Sequence, residues 1–150
     1  EGLAAAALWA KESGVTVATR RVDLTEVEWP VSTYDAVVSV YVHLPVGHRA
    51  RVHRAMLDAL KPGGLLILEA FHVDQMAYSS GGPRDPAMLF TEEMIRRDAG
   101  QDQILDLRRD ELHLDESALH RGPAVLLRAL TRHGEDMGSG RHGVSPLNSK

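Results

Sequence analysis

Cysteine is absent from this 150-residue chain, which removes disulfide frames, thiolate nucleophiles and cysteine metal sites. No apolar run approaches the roughly 20 residues needed to span a bilayer. There is no basic start ahead of an apolar segment, so no signal peptide is read at Glu1-Gly2-Leu3. Positive charge is also scarce: the formal net charge is −4, against a nucleic-acid surface that needs clustered Lys and Arg. Lysine occurs only at 11, 61 and 150. Phosphate-cradling and nucleophile motifs of the P-loop, G-x-S-x-G and S-x-x-K types are missing, as is H-E-x-x-H. What remains is ordinary for a soluble globular domain, 43% hydrophobic and 25% charged. The expectation is one cytoplasmic domain with no membrane and no nucleic-acid partner.

The stretch "LKPGGLLILEAF", residues 60 to 71, organises the rest. A Pro and two Gly stop a helix, and an unbroken aliphatic run follows. A strand apolar on both faces is buried on both faces, which marks a parallel sheet covered by helices. Upstream, "YDAVVSVYV" (34 to 42) reads as a second such strand. Between them Val52, Met56 and Leu60 recur at helical spacing, so residues 48 to 60 are expected to be helical. The three segments make a βαβ unit. "GLAAAALWAKE" (2 to 12) reads as a helix ending at Gly14, and the β-branched "VTVATRRV" (15 to 22) as another strand.

Residues 72 to 89 form a long Gly- and Pro-containing connection, of the kind that serves as a lid. Thr91 is placed to N-cap a helix, with Phe90 and Ile95 at staple positions and Gly100 at its end. Leucines alternate at 105 and 107, then at 112 and 114 with the parity flipped; a bulge near Arg108 to Asp110 would do that. "AVLLRAL" (124 to 130) pairs antiparallel with it. Residues 134 to 150 lack periodicity and read as a disordered tail.

In open α/β sheets ligands bind beyond the carboxyl ends of the parallel strands. Asp23 and Leu24 follow the first strand; Ser39, Tyr41 and His43 lie at the end of the second; Glu69, Phe71 and His72 end the third. Asp23 either caps a turn with Thr25 or offers its oxygens to a ligand. Glu69 is either solvated or arginine-paired at the rim, or faces a substrate. His43 is either a surface-loop histidine, or a group that acts as a base or orients a substrate. His43, His48 and His53 are five apart and make no metal face, so no metal is expected.

With these elements laid out, the chain resembles the class I S-adenosylmethionine-dependent methyltransferases, most of all the small tellurite-resistance and thiopurine-type enzymes. The residues that carry the resemblance are "VDLTE" (22 to 26), "YDAVVSVYVHLP" (34 to 45), and "LKPGGLLILEAF" (60 to 71) followed by Asp74-Gln75. "LDESALHRGPAVLLRAL" (114 to 130) looks like the family's terminal hairpin. The likeness runs over residues 1 to 133. It implies a Rossmann-like α/β sheet, mostly parallel, with a C-terminal antiparallel hairpin. It gives Asp23 the role of binding the adenine of S-adenosylmethionine, with Leu24 beside the ring and Ser39, Val40 and Tyr41 lining the adenine and methionine end. His43 and Glu69 become the candidate bases for a small-molecule acceptor. The family's Gly-rich first loop and ribose-binding acid are not in this sequence. The expectation is therefore the C-terminal portion of such an enzyme, lacking the first two strands and inactive alone. A nicotinamide-dependent oxidoreductase and a non-catalytic, partner-binding remnant are the rival readings.

Overall fold

The aliphatic run that ends at Phe71 is an inner strand of a four-stranded sheet, but it is not buried on both faces as its apolar pattern predicts: Leu66, Leu68 and Ala70 are covered, while Ile67 on the other side is exposed. The computed structural model describes residues 2–117 and 120–134. In chain order these form α1 (Gly2–Glu12), β1 (Tyr34–Val40), α2 (Arg49–Asp58), β2 (Leu60–Phe71), α3 (Glu92–Ala99), β3 (Gln103–Ser117) and β4 (His120–Arg132). The strand order is β1-β2-β4-β3. β1 and β2 run parallel, with Val37 opposite Leu66 and Ser39 opposite Leu68. β4 runs antiparallel to both β2 and β3. The βαβ unit and the terminal antiparallel hairpin are those expected. No helix among the described residues is long and apolar enough to cross a membrane.

Three further expectations need correction. Residues 15–22 do not form a strand: they join no ladder, and Val15, Val17 and Val22 are exposed. Strand propensity is a preference for a pleated, half-buried surface, and nothing among the described residues offers them one. The parallel share of the sheet is therefore a single ladder. α1 likewise buries no residue. By contrast residues 24–29 are fixed, because Leu24 and Trp29 pack against Val52, Met56 and Leu57. The Arg51 guanidinium also donates to the Thr25 carbonyl.

The second correction concerns "LKPGG". β2 starts at Leu60, directly after the helix, with its register against β1 jumping from Leu60 to Leu65. The extra residues loop out, and Gly64 turns the strand back. A Cβ on Gly64 would lie 2.9 Å from the Lys61 carbonyl oxygen and 3.1 Å from that of Asp35, so only glycine fits.

The third concerns β3. Its parity flip involves no bulge near Arg108 to Asp110; the register is continuous from Asp106 to Asp115, and the irregularities lie at Ile104/Asp106 and Asp115/Ser117. The strand changes which of its faces is covered. Leu107 packs on the α3 side, against Leu68, Leu127 and Ala129. Leu112 and Leu114 pack on the opposite side, with Phe71, Ala124 and Leu126. A straight strand reads as flipped when its cover switches sides.

α2 and α3 lie on one face. Val52, Met56 and Leu57 meet Leu60 and Leu66; Phe90 and Ile95 meet Leu68, Ala70, Leu127 and Ala129. The Thr91 hydroxyl accepts from the Met94 N–H at 3.3 Å, and Gly100 adopts φ 62° after the last turn. The connection after β2 is pinned rather than loose. It holds two short 3₁₀ helices, Val73–Ala77 and Pro86–Met88, and buries Gln75, Ser80 and Leu89. Residues 135–150, most of the expected tail, lie outside the described residues.

Candidate functional site

The parallel strands β1 and β2 end side by side, and the chain leaves β1 in an unusual conformation. Tyr41 has φ 53°, a left-handed value that a bulky side chain seldom adopts. Its N–H donates to the Glu69 carbonyl at 2.8 Å, holding the two strand ends together. The turn swings its ring onto Phe71, with centroids 4.9 Å apart and planes at 15°. Its hydroxyl donates towards the Glu116 carboxylate, at 3.3 and 3.4 Å from the two oxygens. Burial, then the charges of Glu69 and Glu116, push the phenol far above its ordinary value. Tyr41 therefore stays protonated and acts as a donor. Of its neighbours, Ser39 is buried, and Val40 lies on the opposite side of the strand, exposed.

Both phenylalanines of this aromatic-poor chain join the same cluster. The His43 ring stacks on Phe71 at 5.8 Å and meets the edge of Phe90 at 5.4 Å. His120 tilts against Tyr41 and Phe71 at 5.2 and 5.9 Å. Each nitrogen of His43 has a partner. Nδ1 lies 2.9 Å from the Met88 carbonyl oxygen, and Nε2 accepts from the Phe71 N–H at 3.3 Å. That pair of contacts assigns the neutral tautomer with its proton on Nδ1. Burial lowers the pKa of the ring, with the Met88 carbonyl opposing.

Glu69 points away from the helices, on the side of Val40. Its Oε2 accepts from Arg128 Nε at 2.6 Å, and Arg128 Nη1 reaches Asp110 at 3.0 Å. The carboxylate is thus one end of a cross-strand ladder at the sheet rim. This explains how an acid closes an otherwise aliphatic strand.

Asp23 and Leu24 stand apart from this cluster, on a turn fixed by the carboxylate itself. Asp23 Oδ1 accepts from the Thr25 N–H at 2.8 Å and the Thr25 hydroxyl at 2.7 Å. Those bonds hold its pKa below the ordinary carboxylate range, so the group is an ionised acceptor. Arg21, Val22, Asp23 and Leu24 line one open cleft of about 540 Å³ with Leu44, from the loop beyond β1. Sequence reasoning brought Tyr41, His43 and Glu69 to one end of the sheet, and the structure places them together. It missed Glu116 and His120, which come from the distant β3–β4 hairpin and carry no local signal. Among the described residues no group of three or more His, Asp or Glu could hold a metal ion.

No family model and no curated protein matches this sequence. The fold is nonetheless that of the class I S-adenosylmethionine-dependent methyltransferases. The chain superposes on TehB from Haemophilus influenzae with a TM-score of 0.65 at 16% identity, covering 87% of this chain and 46% of that one. A SAM-dependent methyltransferase from Methanosarcina mazei gives 0.57 at 15% identity, over 77% and 66% of the two chains. The [4+2]-cyclase SpnF gives 0.61 at 19% identity, over 88% and 62%. The chain thus spans less than two thirds of each of these structures. A fold shared with a cyclase fixes the architecture and leaves the reaction to the site.

Proposed function

We propose that the protein containing this chain is an S-adenosylmethionine-dependent methyltransferase acting on a small-molecule acceptor. The observation that carries the reading is the Asp23–Leu24 turn. It sets an ionised acceptor and an apolar side chain on the wall of an open cleft that Leu44 also lines. That pairing suits an adenine, whose amino group donates and whose faces are apolar. When bound, the cofactor supplies a methyl group activated on a sulfonium. The chain contributes position: Asp23 holds the purine amino group, Leu24 and Leu44 flank the ring, and the backbone of Ser39, Val40 and Tyr41 borders the strand ends.

Methyl transfer of this kind asks for alignment and exclusion of water more than for a protein nucleophile. The two candidate bases, His43 and Glu69, are each engaged, by Phe71 and Met88 and by Arg128. An acceptor that loses its proton to water, or that needs none removed, is the simplest substrate for such a site. The nicotinamide reading has no suitably placed Lys in this sequence to support it, since Lys occurs only at 11, 61 and 150.

The test is calorimetric titration with S-adenosylmethionine, on the longest form of the protein that contains this sequence. Asp23→Ala removes acceptors for a neutral donor, a loss of about 1 kcal/mol, or several-fold in affinity. Equal affinity in a folded Asp23→Ala protein removes the adenine assignment. Binding of NADH in place of S-adenosylmethionine would overturn the reading as a whole.

A further inference from the structure

Gln75 is the most completely buried polar side chain among the described residues, at 1% exposed. Every polar atom of its amide is used. Nε2 donates to Ser80 Oγ at 3.0 Å and to the Gly81 carbonyl at 3.2 Å. Oε1 accepts from the Val125 N–H of β4 at 2.9 Å. Ser80 in turn donates its hydroxyl to the Pro123 carbonyl. Four hydrogen bonds thus fasten residues 80–81 to β4 through one side chain and its neighbour.

What this fastening holds in place is the backbone of Gly81 and Gly82. A Cβ on Gly81 would lie 2.6 Å from the His120 ring and 2.8 Å from Phe71; one on Gly82 would lie 3.0 Å from Phe71. Both glycines have positive φ, 136° and 82°. The peptide is laid flat against one side of the rings whose other contacts include Tyr41. Tyr41 has a strained backbone and depends on those contacts for its orientation.

We propose that Gln75 is a positioning residue for the candidate site: by tying Ser80 and Gly81 to β4 it seats the glycine peptide on Phe71 and His120 and so fixes the Tyr41 ring. The effect on ligand rests on the methyltransferase reading; the effect on the rings does not.

The test uses three variants of the longest form of the protein. In Gln75→Glu the ionised side chain still accepts from Val125 but has no donor for Ser80 or Gly81. As pH falls through its burial-raised pKa, the acid regains one donor and reseats the peptide. Gln75→Leu has no such recovery. Ser80→Ala removes the acceptor of Gln75 and the donor to Pro123, and serves where the other two fold poorly. The readouts are the Tyr41 and His120 ring resonances by NMR at pH 8 and pH 5, and S-adenosylmethionine affinity at both. His43, Glu69, Glu116 and His120 also face these rings, so the unsubstituted protein is titrated in parallel and its shifts subtracted.

The expected result has three parts. At pH 8 Gln75→Glu displaces the Tyr41 and His120 signals and weakens cofactor binding about tenfold, the equivalent of one lost hydrogen bond. At pH 5 both effects reverse. Gln75→Leu stays displaced at both values. Rings unmoved in folded variants at both pH values overturn the proposal, whatever the affinity does. Rings that move and recover while even the unsubstituted protein ignores S-adenosylmethionine uphold the positioning role and sink the methyltransferase reading instead.

Discussion

Ile67 and Leu68 are neighbours on β2, yet one is 42% exposed and the other 3%, because they face opposite sides of the sheet. Leu68 meets α3 and the core beneath it. Ile67 shares its side with Val38 and Val40, which are 62% and 52% exposed. Further along that second side, Phe71, Leu114 and Leu126 are covered by the connection that follows β2. One face is therefore closed by helices, and the other is closed only at the end where the candidate site lies. The ion pairs differ in the same way. On the helix side, Asp98 of α3 is buried against Arg49 and His53 of α2. On the other side, Glu69, Arg128 and Asp110 are partly solvated. The same chemistry costs different amounts to disturb in the two places, since only the buried pair has lost its water.

The largest effect is expected at Asp98. Asp98→Ala strips a guanidinium and an imidazole of their buried partner, and a loss of about 3–5 kcal/mol follows. On the open face Glu69→Ala should lose under about 1 kcal/mol, the range of exposed pairs. Urea denaturation of both variants measures the contrast. Comparable losses would mean that the open face is covered in solution as fully as the helix side.

Next comes the aliphatic pair. Leu68→Ala should lose about 2–5 kcal/mol, for transfer and cavity together. Ile67→Ala, one residue away, should lose under about 1 kcal/mol, as surface substitutions do. An Ile67→Ala penalty equal to that of Leu68→Ala would show a partner seated on that face.

This contrast also shows where sequence reasoning stopped. The βαβ unit was legible because its apolar pattern is local: Val52 and Met56 repeat within one helix, Leu60 continues their spacing into the strand, and "LLIL" declares an inner strand, though only its helix side is covered. The α3 cap at Thr91 was legible for the same reason. The β3 flip was read as a bulge, because which face of a strand is covered depends on Phe71 and Phe90, many residues away. Residues 15–22 carry a strand's composition but no ladder, since composition cannot supply a partner. Gln75 was visible as a residue, yet its role depends on Val125, 50 positions along the chain. Tyr41 and Glu116 are 75 apart, and neither announces the other.

The smallest effect is expected at His43, which sits where the two faces meet, between Phe71 and Phe90. Its pKa is depressed from 6.5, mainly by burial. The folded protein therefore prefers the neutral ring, which alone can accept from Phe71 while donating to Met88. Above pH 6.5 the ring is neutral in both folded and unfolded states, and its contribution is fully present. As pH falls from there, the unfolded chain takes up the proton first and gains. Stability is lost until the depressed folded value is passed. The direction is thus opposite to that of a histidine held by a carboxylate. His43→Gln keeps an acceptor or a donor at that position and removes the titration. Denaturation midpoints at pH 8 and pH 5.5 should fall less in His43→Gln than in the unsubstituted protein, the other histidines being common to both. Equal falls would show that His43 is solvated in solution, and that the ring cluster joining the two faces is looser than its distances imply.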